Sequence, residues 1–165
     1  MLFDFGGGGS SYPNGGVSTR GKSITLKEFL DTDDPEVVFE HLETHGISYY
    51  KGVLVVETSF DASFSYGFIG LSASQKNADT LKHEYGHTVQ LKNMGIGSYI
   101  ADVAIPSATI NILSRLDKLP YDYYTYPFEA EANKLGGSAL SDSRRPPLPE
   151  GEYTSYWDLI PLFFK

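Results

Sequence analysis

Apolar residues recur along this chain first at helical spacing and then at strand spacing. Leu26, Phe29 and Leu30 make a short helical stripe. A second helix is predicted from Asp34-Pro35, where Asp caps and Pro suits the first turn. It carries Val37, Val38 and Leu42 as far as His45, and Gly46 follows in the position that favours left-handed backbone. Two strand-like runs come next: 47–57, with Val53, Leu54, Val55 and Val56, and 63–71, where Phe64, Tyr66, Phe68 and Ile69 stand among small residues. With Thr58-Ser59-Phe60-Asp61-Ala62 as a turn, the two runs predict an antiparallel hairpin. Gly67 and Gly70 inside the second run mark a bulge or a close approach of backbone.

A longer helix is predicted over 78–94, closed by Gly95. The apolar segment 96–116 reads as helical in part. A tyrosine cluster follows at Tyr121, Tyr123, Tyr124 and Tyr126, then a short helix over 128–135 that ends at Gly136-Gly137. The stretch 144–149 is proline-rich and extended, and the chain closes on aromatic residues, Tyr156, Trp157, Phe163 and Phe164. Residues 1–22 read as a flexible Gly/Ser-rich leader ahead of one structured domain over 23–165. That leader lacks the charged start and apolar run of a signal peptide, and it suits a linker within a larger polypeptide. The apolar stretch 94–113 is interrupted by Asp102 and Pro106, so a buried segment is expected rather than a membrane span.

Composition narrows the chemistry. Of 165 residues, 21 are acidic and 13 are Lys or Arg, a formal net charge of −8, which argues against nucleic acid as a partner. The chain has no cysteine, which removes disulfides and thiolate metal sites and leaves His, carboxylate and water as the available ligands. The 12 Tyr and 10 Phe suit a lined groove, and equally an aromatic core.

The chemistry concentrates on His83-Glu84-Tyr85-Gly86-His87. His83 and His87 are four residues apart, so on a helix both imidazoles project from one face and can reach one metal ion. Glu84 lies about 100° further round, which takes it past the metal but within reach of a water held there. This is the logic of two histidine ligands and a general base on one helix. Zinc makes such a water acidic near a pH of about 7, and a carboxylate can take its proton and pass it to a leaving amine. Gly86, inside the helix, costs about 1 kcal/mol relative to Ala, which close approach of another element would explain.

The third ligand must come from elsewhere in the chain. Glu129 is the best candidate, because Asn133 shares its helical face and could steady a ligating histidine. Glu131 is the rival, pointing about 200° away on the same helix. A second histidine pair, in His41-Leu42-Glu43-Thr44-His45, is read as structural: its glutamate points to the opposite side, and His45 occupies a last turn that suits a cation.

The segment Thr80-Leu81-Lys82-His83-Glu84-Tyr85-Gly86-His87-Thr88-Val89-Gln90, with the later Glu129 and Asn133, resembles the gluzincin group of zinc metallopeptidases, to which thermolysin belongs. More closely, HEYGHTVQ and the downstream E-x-x-A-N-x-L-G-G look like small metallopeptidase-like domains of bacterial Rhs-repeat and polymorphic-toxin proteins. The likeness spans about 52–137. It implies a mononuclear Zn2+ held by His83, His87 and Glu129, with Glu84 as the base. It departs from the thermolysin pattern in having Asn133 where an acidic residue is usual. It also implies an α+β, zincin-like fold, with a small antiparallel sheet packed on the zinc helix, further helices, and an edge strand within 64–71 that takes an extended peptide. One of the tyrosines at 121, 123, 124 or 126 would steady the oxyanion.

The function expected on these grounds is zinc-dependent hydrolysis of peptide bonds in a peptide or protein substrate. The alternative is a non-catalytic module of the same fold that binds peptide or acts within a larger bacterial protein. Family association leans towards a secreted or cell-surface location.

Overall fold

The computed structural model describes residues 25–152 and 156–164, so the leader lies outside the described residues. The chain opens with helix α1 (Leu26–Leu30), whose Thr25 and Glu28 form a reciprocal capping box. Helix α2 (Pro35–His45) has the expected ends. The Asp34 side chain accepts from the Glu36 amide, and Gly46 closes the helix in left-handed backbone.

The sheet departs from the predicted hairpin. The run 47–57 is not one strand but two, β1 (Ile47–Tyr50) and β2 (Val53–Thr58), paired antiparallel. Lys51 and Gly52 both have positive φ, 49° and 79°, the backbone of a tight two-residue hairpin turn. The second run also splits, at Gly67 (φ 75°), into β3 (Phe64–Ser65) and β4 (Ile69–Ser72), which pair antiparallel. The reversal between β3 and β4 leaves β4 running parallel to β2, so the four-stranded sheet is mixed, in the order β1-β2-β4-β3. Its secondary structure is that of an α+β protein, but the sheet is not purely antiparallel. Gly70 faces Phe64 across the β3–β4 pair, and a Cβ there would stand 2.5 Å from the Phe64 ring. It marks a close approach, not a bulge.

Helix α3 (Ala78–Tyr99) begins at Asn77, whose side chain accepts from the Thr80 amide. Its helical path breaks at Gly95 (φ 79°, ψ 163°), where the sequence places its end, and resumes for one further turn. A π-helical turn (Ile100–Ala104) leads into α4 (Ile105–Arg115), so 96–116 is helical almost throughout. The whole run Ala78–Arg115 is long and apolar enough to cross a membrane by length and composition, and a third of its most apolar window is buried. It supplies Tyr99, Val103, Ile110 and Leu113 to a core shared with Leu119, Tyr126, Phe128 and Leu159. A second core joins Val38 and Leu42 of α2, Tyr50, Val55, Ile69 and Leu71 of the sheet, and Leu81 of α3. Helix α3 thus runs from one core to the other, and α5 (Pro127–Gly136) packs along it, closed by left-handed Gly137.

Candidate metal centre

The contact between α3 and α5 sets the site. A Cβ on Gly86 would lie 1.9 Å from the Ala132 carbonyl oxygen, and one on Gly136 would lie 1.8 Å from that of Lys82. Both positions have to be glycine for the backbones to come this close. At that spacing Glu129, in the first turn of α5, sits directly over His83 and His87. Its Oε2 is 2.9 Å from His83 Nε2 and 3.3 Å from His87 Nε2. The three side chains are buried, Glu129 completely.

The orientation of each imidazole follows from a carboxamide behind it. Asn133 donates its Nδ2 to the Leu140 carbonyl, 3.0 Å away, so its Oδ1 is the atom facing His83 Nδ1 at 2.8 Å. Gln90 donates its Nε2 to the Phe128 carbonyl and to Glu131, both at 2.8 Å, so its Oε1 faces His87 Nδ1 at 2.7 Å. An oxygen behind each Nδ1 puts a proton there and leaves each Nε2 with its lone pair directed at Glu129. The short distances to Glu129 Oε2 are not aligned as hydrogen bonds, and that oxygen is buried with no hydrogen-bond partner among the described residues. Three electron-rich atoms therefore converge on one small volume, an arrangement that calls for a positive charge between them. Either a proton on a histidine or a metal ion answers it, and the donor set of two imidazoles and a carboxylate suits a divalent ion.

The electrostatics agree. Burial alone would lower the pKa of His87, but the Glu129 carboxylate outweighs it and raises it to about 9. Burial works the other way on Glu129, and the His87 and His83 charges hold it well below the usual carboxylate range. Glu84 is also buried, and desolvation pushes its pKa up against the opposing pull of His87 and His83.

A cleft passes His83 and His87, with Glu129 buried behind them. Its larger lobe, about 510 Å³, is lined by Thr80, His83, Glu84, Asn111, Tyr123 and Tyr124, among others. A second lobe of about 350 Å³ shares His83, Glu84 and Tyr123 and is bordered by Phe64 and Ser65 of β3, Tyr99 and Ala108. The strand β3 is one edge of the sheet and lines the cleft.

No family model, curated protein or solved structure matches this chain.

The sequence-predicted residues His83, His87 and Glu129 meet at one point, and Glu84 lies beside them on the cleft wall. Glu131 does not join them; it is exposed and bonds Gln90. Asn133 stands behind His83 as its spacing suggested. The second histidine pair has gained a structural setting, with His41 beside Ser48 and the Phe29 ring, and burial lowers its pKa. Of the tyrosines, Tyr121 and Tyr126 turn to the core, while Tyr123 and Tyr124 line the cleft. Burial raises the Tyr124 pKa to about 12, so its phenol keeps its proton.

Sequence reasoning missed three residues. Gln90 was legible only as one turn beyond the second histidine. Tyr99, whose phenol donates to the Ser65 carbonyl at 3.2 Å, lies beyond the Gly95 break. Ser107 is on α4 with no motif around it, 3.0 Å from the Tyr123 hydroxyl.

Proposed function

We propose that this chain is a zinc-dependent metallopeptidase, with His83, His87 and Glu129 as ligands and Glu84 as general base. The observation that supports it most is the convergence of three buried side chains, one of them presenting a Glu129 oxygen with no hydrogen-bond partner among the described residues, beside the buried Glu84 carboxylate on the cleft wall. A structural metal site has no use for Glu84 one residue after a ligand. The ion's share of the chemistry is Lewis acidity, polarising a carbonyl and acidifying water. Glu84 takes a proton from the attacking water on a carboxylate oxygen and passes it to the leaving amine. Its burial favours this, because desolvation raises the pKa of the carboxyl and makes its carboxylate the stronger proton acceptor. Asn133 and Gln90 hold the two imidazoles, and β3 offers its edge to an extended peptide. Tyr124 is the donor that meets the oxyanion, since the Tyr123 hydroxyl is already engaged with Glu129.

Elemental analysis of the purified protein tests the metal first. About one zinc per chain is expected, lost in a His83→Ala/His87→Ala variant. Turnover of a peptide library is then expected to vanish in Glu84→Gln while zinc stays bound, and to fall roughly 100-fold or more in Tyr124→Phe. Wild-type turnover in Tyr124→Phe removes that residue's role. A zinc-loaded wild type without turnover leaves the non-catalytic peptide-binding module as the better reading.

A further inference from the structure

Glu129 has two carboxylate oxygens in different surroundings. Oε2 faces the two imidazoles, and Oε1 accepts from the Tyr123 phenol at 2.9 Å. A carboxylate oxygen only accepts, and a phenol has one proton. That proton goes to Glu129, so the bond between Ser107 Oγ and the phenol oxygen, 3.0 Å long, must be donated by the serine. The direction of the whole relay is thereby fixed, from Ser107 on α4 through Tyr123 to Glu129 on α5.

Tyr123 is itself held rigidly. It opens a single 3-10 turn (Tyr123–Thr125) capped by Asp122, whose side chain accepts from the Tyr124 amide at 2.9 Å. The Asp122 amide donates to the Pro146 carbonyl at 2.7 Å, and Thr125 Oγ1 accepts from the Leu148 amide at 2.8 Å. The phenol is therefore carried on a pinned backbone that cannot follow a swinging carboxylate.

The geometry points to Tyr123 as a positioning residue that restricts Glu129 to one-oxygen ligation of the metal, with Ser107 as the donor that keeps the phenol in place. This rests on the metal reading given above. A free carboxylate can bind a divalent ion through both oxygens, and the second oxygen would occupy a position a substrate carbonyl or water needs. With Oε1 committed to Tyr123, the protein supplies three ligand atoms and keeps the rest of the sphere open.

Cobalt(II) is the probe, since its visible absorption weakens as coordination number rises. The wild type is expected to take up about one cobalt per chain with an intense visible band. In Tyr123→Phe the band is expected to lose intensity at full loading, and cobalt affinity to fall by about 10–100-fold. A fully loaded Tyr123→Phe protein with the wild-type band overturns the proposal and leaves the metal site standing; the phenol is then merely a partner for a buried oxygen. If Tyr123→Phe does not fold, Ser107→Ala decides, because it retains the tyrosine and removes only the donor to its phenol oxygen. A weakened band there supports the relay, and an unchanged one overturns it. A wild type that binds no cobalt removes the metal reading and this proposal together.

Discussion

At the scale of the residue, the electron-rich centre at His83, His87 and Glu129 must carry a positive charge, and this gives the metal-free protein a definite pH response. The folded-state pKa of His87 is raised to about 9 from an ordinary 6.5. A histidine with a raised folded pKa contributes stability that is fully present below the unfolded value. That stability is lost as pH rises through the folded one. Glu129 is ionised in both states across this window and adds no slope there. The chelator-treated protein is therefore expected to lose thermal stability steadily between pH 6.5 and about 9. On the proposed metal reading zinc would take the place of that proton, so the loaded protein should have a much flatter profile. Melting curves of both forms across this range check it. Equal slopes with and without metal would mean that the ion binds elsewhere.

At the scale of the element, the centre depends on how closely two helices approach. Gly86 and Gly136 each meet the backbone of the opposite helix at a distance no Cβ tolerates. The neighbour in both cases is a carbonyl within a helix, which cannot rotate aside as a side chain would. Gly86→Ala is expected to cost about 3 kcal/mol, at the upper end of overpacking, despite the better helix propensity of alanine. It should also push α5 away and weaken zinc binding, although Gly86 is not a ligand. Denaturant melts and zinc titration of the variant are the measurements. Gly97, which has open space where its Cβ would be, is the control, and Gly97→Ala should leave both quantities nearly unchanged. A Gly86→Ala protein as stable as Gly97→Ala would show that the helices can part without loss.

At the scale of the whole molecule, two hydrophobic cores lie on different stretches of α3, and the three candidate ligands lie on α3 and α5 between them. A metal ion there would cross-link a helix that serves both cores to one that contributes Phe128 to the core of Tyr99, Val103 and Leu113. Metal binding is thus coupled to the folding of the domain, not to a local loop. At free zinc a hundredfold above the dissociation constant, the stabilisation is about 2.7 kcal/mol. For a chain of this size that amounts to roughly 5–10 °C in melting temperature. Differential scanning calorimetry with zinc and with chelator reads it directly. A single transition that shifts as a unit is expected. A shift confined to one of two separate transitions would mean that the cores unfold independently.

What was legible in the amino-acid sequence is what depends on near neighbours. Asp34, Gly46 and Gly137 act at helix ends through backbone geometry of one or two residues, and they stand where the sequence put them. His83, Glu84 and His87 share one helical turn, and Glu129 and Asn133 another, so their relative directions follow from helix geometry alone. The strand pairing was not legible, because Lys51-Gly52 gives a weaker turn signal than Asn-Gly. The missed reversal at Gly67, between β3 and β4, is the one that sets β4 parallel to β2. Gln90 behind His87, and Ser107 and Tyr123 behind Glu129, were likewise out of reach. Spacing along the chain fixes which side chains share a face. Which faces meet is decided by burial and backbone clearance between separate elements, and only the folded molecule supplies those.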